Sequence, residues 1–262
     1  MFEFSRYYGR RRVKGSAALT AGLAILTGLY IYLFPSISSS IDLDAYIQSM
    51  PPALRAAFGI QSLNSIEGFL AAELYAFGWV LLLGLYLAYA AASLVADDVE
   101  DGRMDMLLAL PVSRSKILLE KFSSLLVPIA VANVVLPVFV YFGVVAIGET
   151  LSVADLVMVH LLSVPYLLTT AAIGLVASVL FDRTSLAQRA AMGTVFGLFL
   201  VDSVVTNTDF AVLGALSPTR YYDPAAVLVE SQWDVTGAFL LLLAALALLL
   251  LSRTLFQRKD IA

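Results

Sequence analysis

The feature that most constrains this chain is a set of six long apolar runs, at about 16–34, 70–96, 122–147, 154–181, 190–205 and 235–255. A run of roughly 20 apolar residues, rising about 1.5 Å per residue, crosses the hydrocarbon core of a bilayer. Most of these runs reach that length, and the fifth is the shortest. Composition agrees. The 262 residues are 60% hydrophobic and 14% charged, whereas soluble domains carry about 25% charged residues. A soluble fold of this size could not cover its surface with so few charges. The expected fold is therefore all-α: an integral membrane bundle of six helices, forming one domain over 1–262.

Basic residues fix the expected topology, because Lys and Arg collect in cytoplasmic segments. The N-terminal segment holds Arg6, Arg10, Arg11, Arg12 and Lys14. The segment between the second and third runs holds Arg103, Arg114, Lys116 and Lys121. Arg183 and Arg189 lie between the fourth and fifth runs, and Arg253, Arg258 and Lys259 close the chain. Of the 16 basic residues only Arg55 and Arg220 fall on the other side. Six spans with both termini cytoplasmic satisfy this alternation; four or five would break it. The first run exceeds the h-region of a signal peptide, so it is expected to be a retained span ended by Pro35. Phe2, Phe4, Tyr7 and Tyr8 among basic residues suggest a short interfacial helix before it. A second amphipathic stretch is expected at 53–60. Tyr221, Tyr222 and Trp233 suit an interfacial belt.

Several chemistries are excluded. There is no cysteine, so disulfides, thiolate metal sites and a cysteine nucleophile are out. The single histidine, His160, rules out multi-histidine metal sites. A net charge of −4 gives no basic footprint for nucleic acid.

The segment after the second run carries the most information. It reads Asp97-Asp98-Val99-Glu100-Asp101-Gly102-Arg103-Met104-Asp105-Met106-Leu107-Leu108-Ala109-Leu110-Pro111-Val112-Ser113-Arg114. Gly102 permits a sharp turn. A short helix is predicted over 103–110, with Met104, Leu107, Leu108 and Pro111 on one face and Pro111 as its stop. Such a helix is too short to span. It would lie along the membrane surface, with an apolar face covered by its own bundle or by a soluble partner. The acids at 97–105 read as a solvated or partner-facing patch in preference to a divalent-cation site, and no metal is expected.

The string Glu100 to Arg114, E-D-G-R-M-D-M-L-L-A-L-P-V-S-R, resembles the signature of the type-2 family of ABC transporter permeases, E-x-G-T-L-E-L-L-L-S-L-P-V-S-R. Lys121 stands where that family has a lysine at the start of the third span. Arg103 replaces the usual threonine and removes a hydroxyl that could cap the helix. Met104 and Asp105 are milder departures. The ending 256–261, F-Q-R-K-D-I, is similar to the family's aromatic-x-R-R-D-I tail. The resemblance implies a permease half that pairs with a second permease subunit, identical or sister, in the cell membrane. It implies a separate ATP-binding subunit, which would hold ATP and Mg. The short helix would act as a coupling helix in a groove of that subunit, with Glu100, Gly102, Arg103, Met104, Asp105, Leu107, Leu108, Pro111 and Arg114 at or near the contact. It also implies export. This chain has no G-x-x-x-x-G-K-[ST] string and no Gly-Lys pair, so it is not expected to be an enzyme or to bind a cofactor itself.

Polar residues within the apolar runs are the remaining candidates, because ionisable groups in a bilayer are costly and often functional. Glu73 and Asp202 are expected near the outer ends of their spans. His160 is expected to be hydrogen-bonded between helices. Asn133, between Pro128 and Pro137, is expected to satisfy backbone groups that the prolines free. Gly193 and Gly197 match the close-packing spacing of helices in lipid. The alternative reading is a multi-pass protein outside the ABC class, whether a secondary transporter, a scaffold or an intramembrane enzyme. No G-x-S-x-G elbow or H-E-x-x-H motif supports the last.

Overall fold

The computed structural model describes residues 3–40, 48–51, 63–109, 111–206 and 208–260, without the side chains of 3–12 and Ser40. The expected stretch at 53–60, Arg55 and Leu110 lie outside the described residues. All regular structure among the described residues is helical. Six helices are long and apolar enough to cross a membrane. They are α1 (Glu3–Ser40), α2 (Ile66–Glu100), α4 and α5 (Arg114–Ser123 and Leu126–Ala146, one span), α6 (Val153–Leu180), α7 (Thr184–Val205) and α9 (Val235–Arg258). Short α3 (Arg103–Leu108) follows α2, and α8 (Pro224–Leu228) lies between α7 and α9 after two 3₁₀ turns.

Two expectations at the N-terminus need correction. The interfacial helix is not a separate element, because α1 runs unbroken from Glu3. Nor does Pro35 end the span; the helix continues through it to Ser40. A proline removes one backbone donor, but leaving the helix inside lipid would orphan several more. The third span has the reverse character. It breaks at Ser124–Leu125, where Pro128 has no N–H to return to the Ser124 carbonyl. The Ser124 hydroxyl donates to the Lys121 carbonyl at 2.6 Å. The fifth span is a full helix of 22 residues, longer than its apolar run because polar Thr184, Gln188 and Arg189 belong to its first turns.

Helices α2 and α6 form the centre. Ala88, Ala91, Ala92 and Ala96 on α2 are buried against Ala171, Gly174 and Ala177 on α6. A Cβ at Gly174 would stand 2.1 Å from the Ala88 carbonyl oxygen, so only glycine permits this approach. Ser178 Oγ accepts hydrogen bonds from the backbone N–H of Val95 and Ala96 at 2.8 and 3.1 Å. Residues Ala71–Leu83 of α2 have π-helical register, which turns Tyr75 and Trp79 inward, both fully buried.

Candidate functional site

Contacts between helix ends gather the segments around Arg114, Arg183 and Lys259 at one end of the bundle. Glu100, at the end of α2, accepts from the Thr184 N–H at 2.8 Å and so caps α7. Arg114, at the start of α4, donates to the carbonyls of Phe256 and Lys259 at 3.2 and 2.6 Å and lies over the Phe256 ring. Lys259 pairs with Asp182 at 2.7 Å and donates to the Val179 carbonyl. These contacts tie α2 to α7, and α4 to α9 and α6, at this basic end.

Helix α3 sits on that end. Gly102 precedes it with φ +68°, the left-handed conformation that glycine adopts freely. No side chain caps its N-terminus, as expected from the missing threonine. Arg103 instead binds a ring of carboxylates: Asp98 at 2.9 Å, Asp97 at 2.6 Å, and Asp101. Asp98 is buried and also pairs with buried Lys121, whose ammonium donates further to the Leu94 carbonyl at 2.8 Å. The acid cluster thus surrounds a guanidinium and an ammonium. Ser113 Oγ caps α4 by accepting from the Lys116 N–H.

The orientation of α3 corrects one part of the expected contact. Met104 is only 1% exposed and belongs to the chain's own core. Leu107 and Leu108 are half-buried and pack against that core. The apolar face is therefore covered from within the chain. Asp105, Met106, Ala109 and Pro111 face outward, with Met106 66% exposed. Glu100 and Gly102 are exposed, and Arg103 and Arg114 half-buried, at the same end. Asp98, itself buried, joins Arg103 of α3 to Lys121 of α4. Sequence reasoning passed over Asp98 as one acid among five; its spacing to Lys121 carries no helical signal.

The polar residues within the spans divide into two groups. His160 accepts or donates on both ring nitrogens, to Tyr75 Oη at 2.9 Å and Asn133 Oδ1 at 3.3 Å. Ser163 Oγ donates to the same Asn133 oxygen at 3.1 Å. Trp79 meets the His160 ring edge-on. His160 thus bridges helices, joining α2, α5 and α6. The Asn133 amide donates to the Ile129 carbonyl, which neither proline frees, so its role is to bridge helices rather than to repair a kink. Tyr75, Trp79 and Ser163 had no signal in the sequence, because their partners lie far along the chain. Glu73 stands apart, half-buried in the π-helical segment. Asp202, at the opposite end of the bundle from α3, accepts from Thr219 Oγ1 at 2.7 Å and lies 3.6 Å from Arg220. Both belong to a cleft of about 300 Å³ with Thr206, Tyr222 and Asp223. Tyr222 donates to the Val159 carbonyl at 2.7 Å; burial above all pushes its phenol well above the ordinary value, so it remains a donor.

Among the described residues no group of three or more His, Asp or Glu could hold a metal ion. The structural features are those of a multi-pass membrane protein with a small helix fixed at one end of its bundle. No curated protein matches the chain. A family model described as ABC-2 family transporter protein matches residues 19–261, nearly the whole chain. That family comprises membrane subunits of transporters, not ATPases, and its members generally work with ATP-binding subunits. The alternative of a multi-pass protein outside the ABC class is set aside. The chain belongs to the ABC-2 family of transporter proteins, as a permease.

Proposed function

We propose that this permease is the membrane half of an exporter in the cell membrane, driven by ATP hydrolysed on a separate subunit. The basic end faces the cytoplasm, following the bias of Lys and Arg, and both termini lie there. The ATP-binding subunit holds ATP and Mg and receives α3 in a surface groove. A second permease subunit, identical or sister, completes the complex. The whole chain, 1–262, acts as one domain.

The observation that carries this reading is the mounting of α3. Met104 is buried and Leu107 and Leu108 half-buried in its own chain, and Asp105, Met106 and Pro111 point away from the bundle. The Arg103–Asp98–Lys121 cluster fastens it to α2 and α4. Glu100 and Arg114 extend the attachment to α7 and α9. A push on α3 therefore reaches four spans through short polar contacts, without a flexible linker. ATP-driven closure of the partner would displace α3, and the spans would follow as a two-state element. Coupling is reciprocal, so bound substrate changes the partner's ATP turnover.

Met106→Asp tests the docking. The side chain is exposed, so stability changes by no more than about 0.5 kcal/mol. Co-purification of an ATP-binding subunit is expected to be lost. Undiminished co-purification of that subunit with this variant would remove α3 from the contact.

A further inference from the structure

A cleft of about 890 Å³ opens between α7 and α9, with α6 as its floor. Ile173, Ala177, Ala190, Leu198, Ala244 and Leu248 give it an apolar wall. Of the hydroxyls in the wall, those of Thr169, Ser217 and Tyr221 bond to the Leu241 carbonyl, Thr219 Oγ1 and the Ala215 carbonyl, which leaves that of Thr194 to face the cleft. All three helices are membrane spans, and α7 and α9 are among the least buried within the chain. The cleft therefore meets hydrocarbon. Water needs 2–4 polar partners to settle in a cavity, and this wall does not supply them. An empty cleft would forfeit dispersion contacts along its length.

Charge distinguishes the candidates for filling it. Arg183, extended just before α7, and Arg258, the last residue of α9, lie beyond the lining at the basic end, and both are exposed. Lys259 is held at the same mouth by the Val179 carbonyl and Asp182. A helix from a second copy, parallel in the membrane, would bring its own basic end to this level. An anionic headgroup would complement it. Basic residues between spans at a membrane surface favour anionic lipid in this way.

We propose that the cleft binds an anionic phospholipid, with an acyl chain between α7 and α9 and its headgroup at Arg183 and Arg258. The site is independent of the ATPase contact and stands or falls without it.

The test uses the full chain in phosphatidylcholine nanodiscs containing trace phosphatidylglycerol with a photoactivatable acyl chain. Adducts are expected on the cleft-lining residues of α7 and α9. Ala244→Trp fills the cleft and should cut those adducts about tenfold or more, which the loss of two buried methylenes already explains. Leu246→Trp, on the exposed face of α9, should leave them unchanged. Arg183→Gln with Arg258→Gln lies outside the packed wall and should lower the preference for phosphatidylglycerol over a phosphatidylcholine probe, by about fivefold for each charge. Adducts spread evenly around α9, or insensitive to the double charge variant, would reduce the site to annular lipid and overturn the proposal. A disulfide between two chains carrying Thr194→Cys would overturn it too, by placing a second copy in the cleft.

Discussion

The central pair, α2 and α6, and the outer pair, α7 and α9, solve different problems. Two-thirds of the apolar windows of α2 and α6 are buried inside the chain, against 22% for α7 and α9. Yet the most apolar span of all is α9. In a bilayer, leucines gain nothing by meeting each other instead of lipid, so helix association rests on close packing and hydrogen bonds. The inner pair accordingly carries Gly174, alanines, Ser178, Tyr75 and His160, while the outer pair turns leucines such as Leu246 to the lipid. The lesson is that hydropathy reports which helices face lipid, whereas small and polar residues report which helices form the core.

Five substitutions, one of them with a compensating partner, can break or sharpen that contrast. Asp98→Ala at the end of α2 takes the carboxylate from the buried Lys121 ammonium and from Arg103, and it is expected to cost about 3–5 kcal/mol. Thermal unfolding in detergent measures this, and adding Lys121→Met should restore part of the loss. Gly174→Val drives a side chain into the Ala88 backbone and should cost about 1–3 kcal/mol or more. Gly193→Val on α7 meets open space and should barely move the same transition. Equal effects at the two glycines would erase the distinction between pairs. Tyr75→Phe removes the His160 partner and should cost about 1 kcal/mol. Leu246→Val on α9 should stay within about 0.5 kcal/mol, and a larger loss would show that the outer pair packs against something more than lipid.

Much of this architecture was legible before the structure, for a physical reason. Span number and the sidedness of charge are properties of contiguous segments, so hydropathy and the positions of Arg103, Arg183 and Arg258 were enough. Helix α3 was legible from the spacing of Met104, Leu107 and Leu108, although the direction of that face was not. The pattern marks an apolar stripe without saying what covers it, and Met104 turned out to be core. Proline was a poor stop signal: α1 passes through Pro35, and the third span breaks ahead of Pro128. The backbone groups near each proline decide the outcome, and these depend on depth in the bundle. The polar contacts of Tyr75, Asn133, His160 and Ser163 were illegible as a set, since three helices must meet before any pair exists. His160 alone signalled an inter-helix bond by being a lone histidine in an apolar run.

The central claim is that the outward strip of α3 touches the ATP-binding subunit. Because the chain has no cysteine, Met106→Cys introduces a unique thiol, and Phe210→Cys, 67% exposed at the opposite end, provides the control. A short bifunctional cross-linker applied to the assembled complex should join the chain to the ATP-binding subunit through residue 106 and not through residue 210. Cross-linking through residue 210 alone, or through neither position in a complex that is demonstrably intact, would contradict the account.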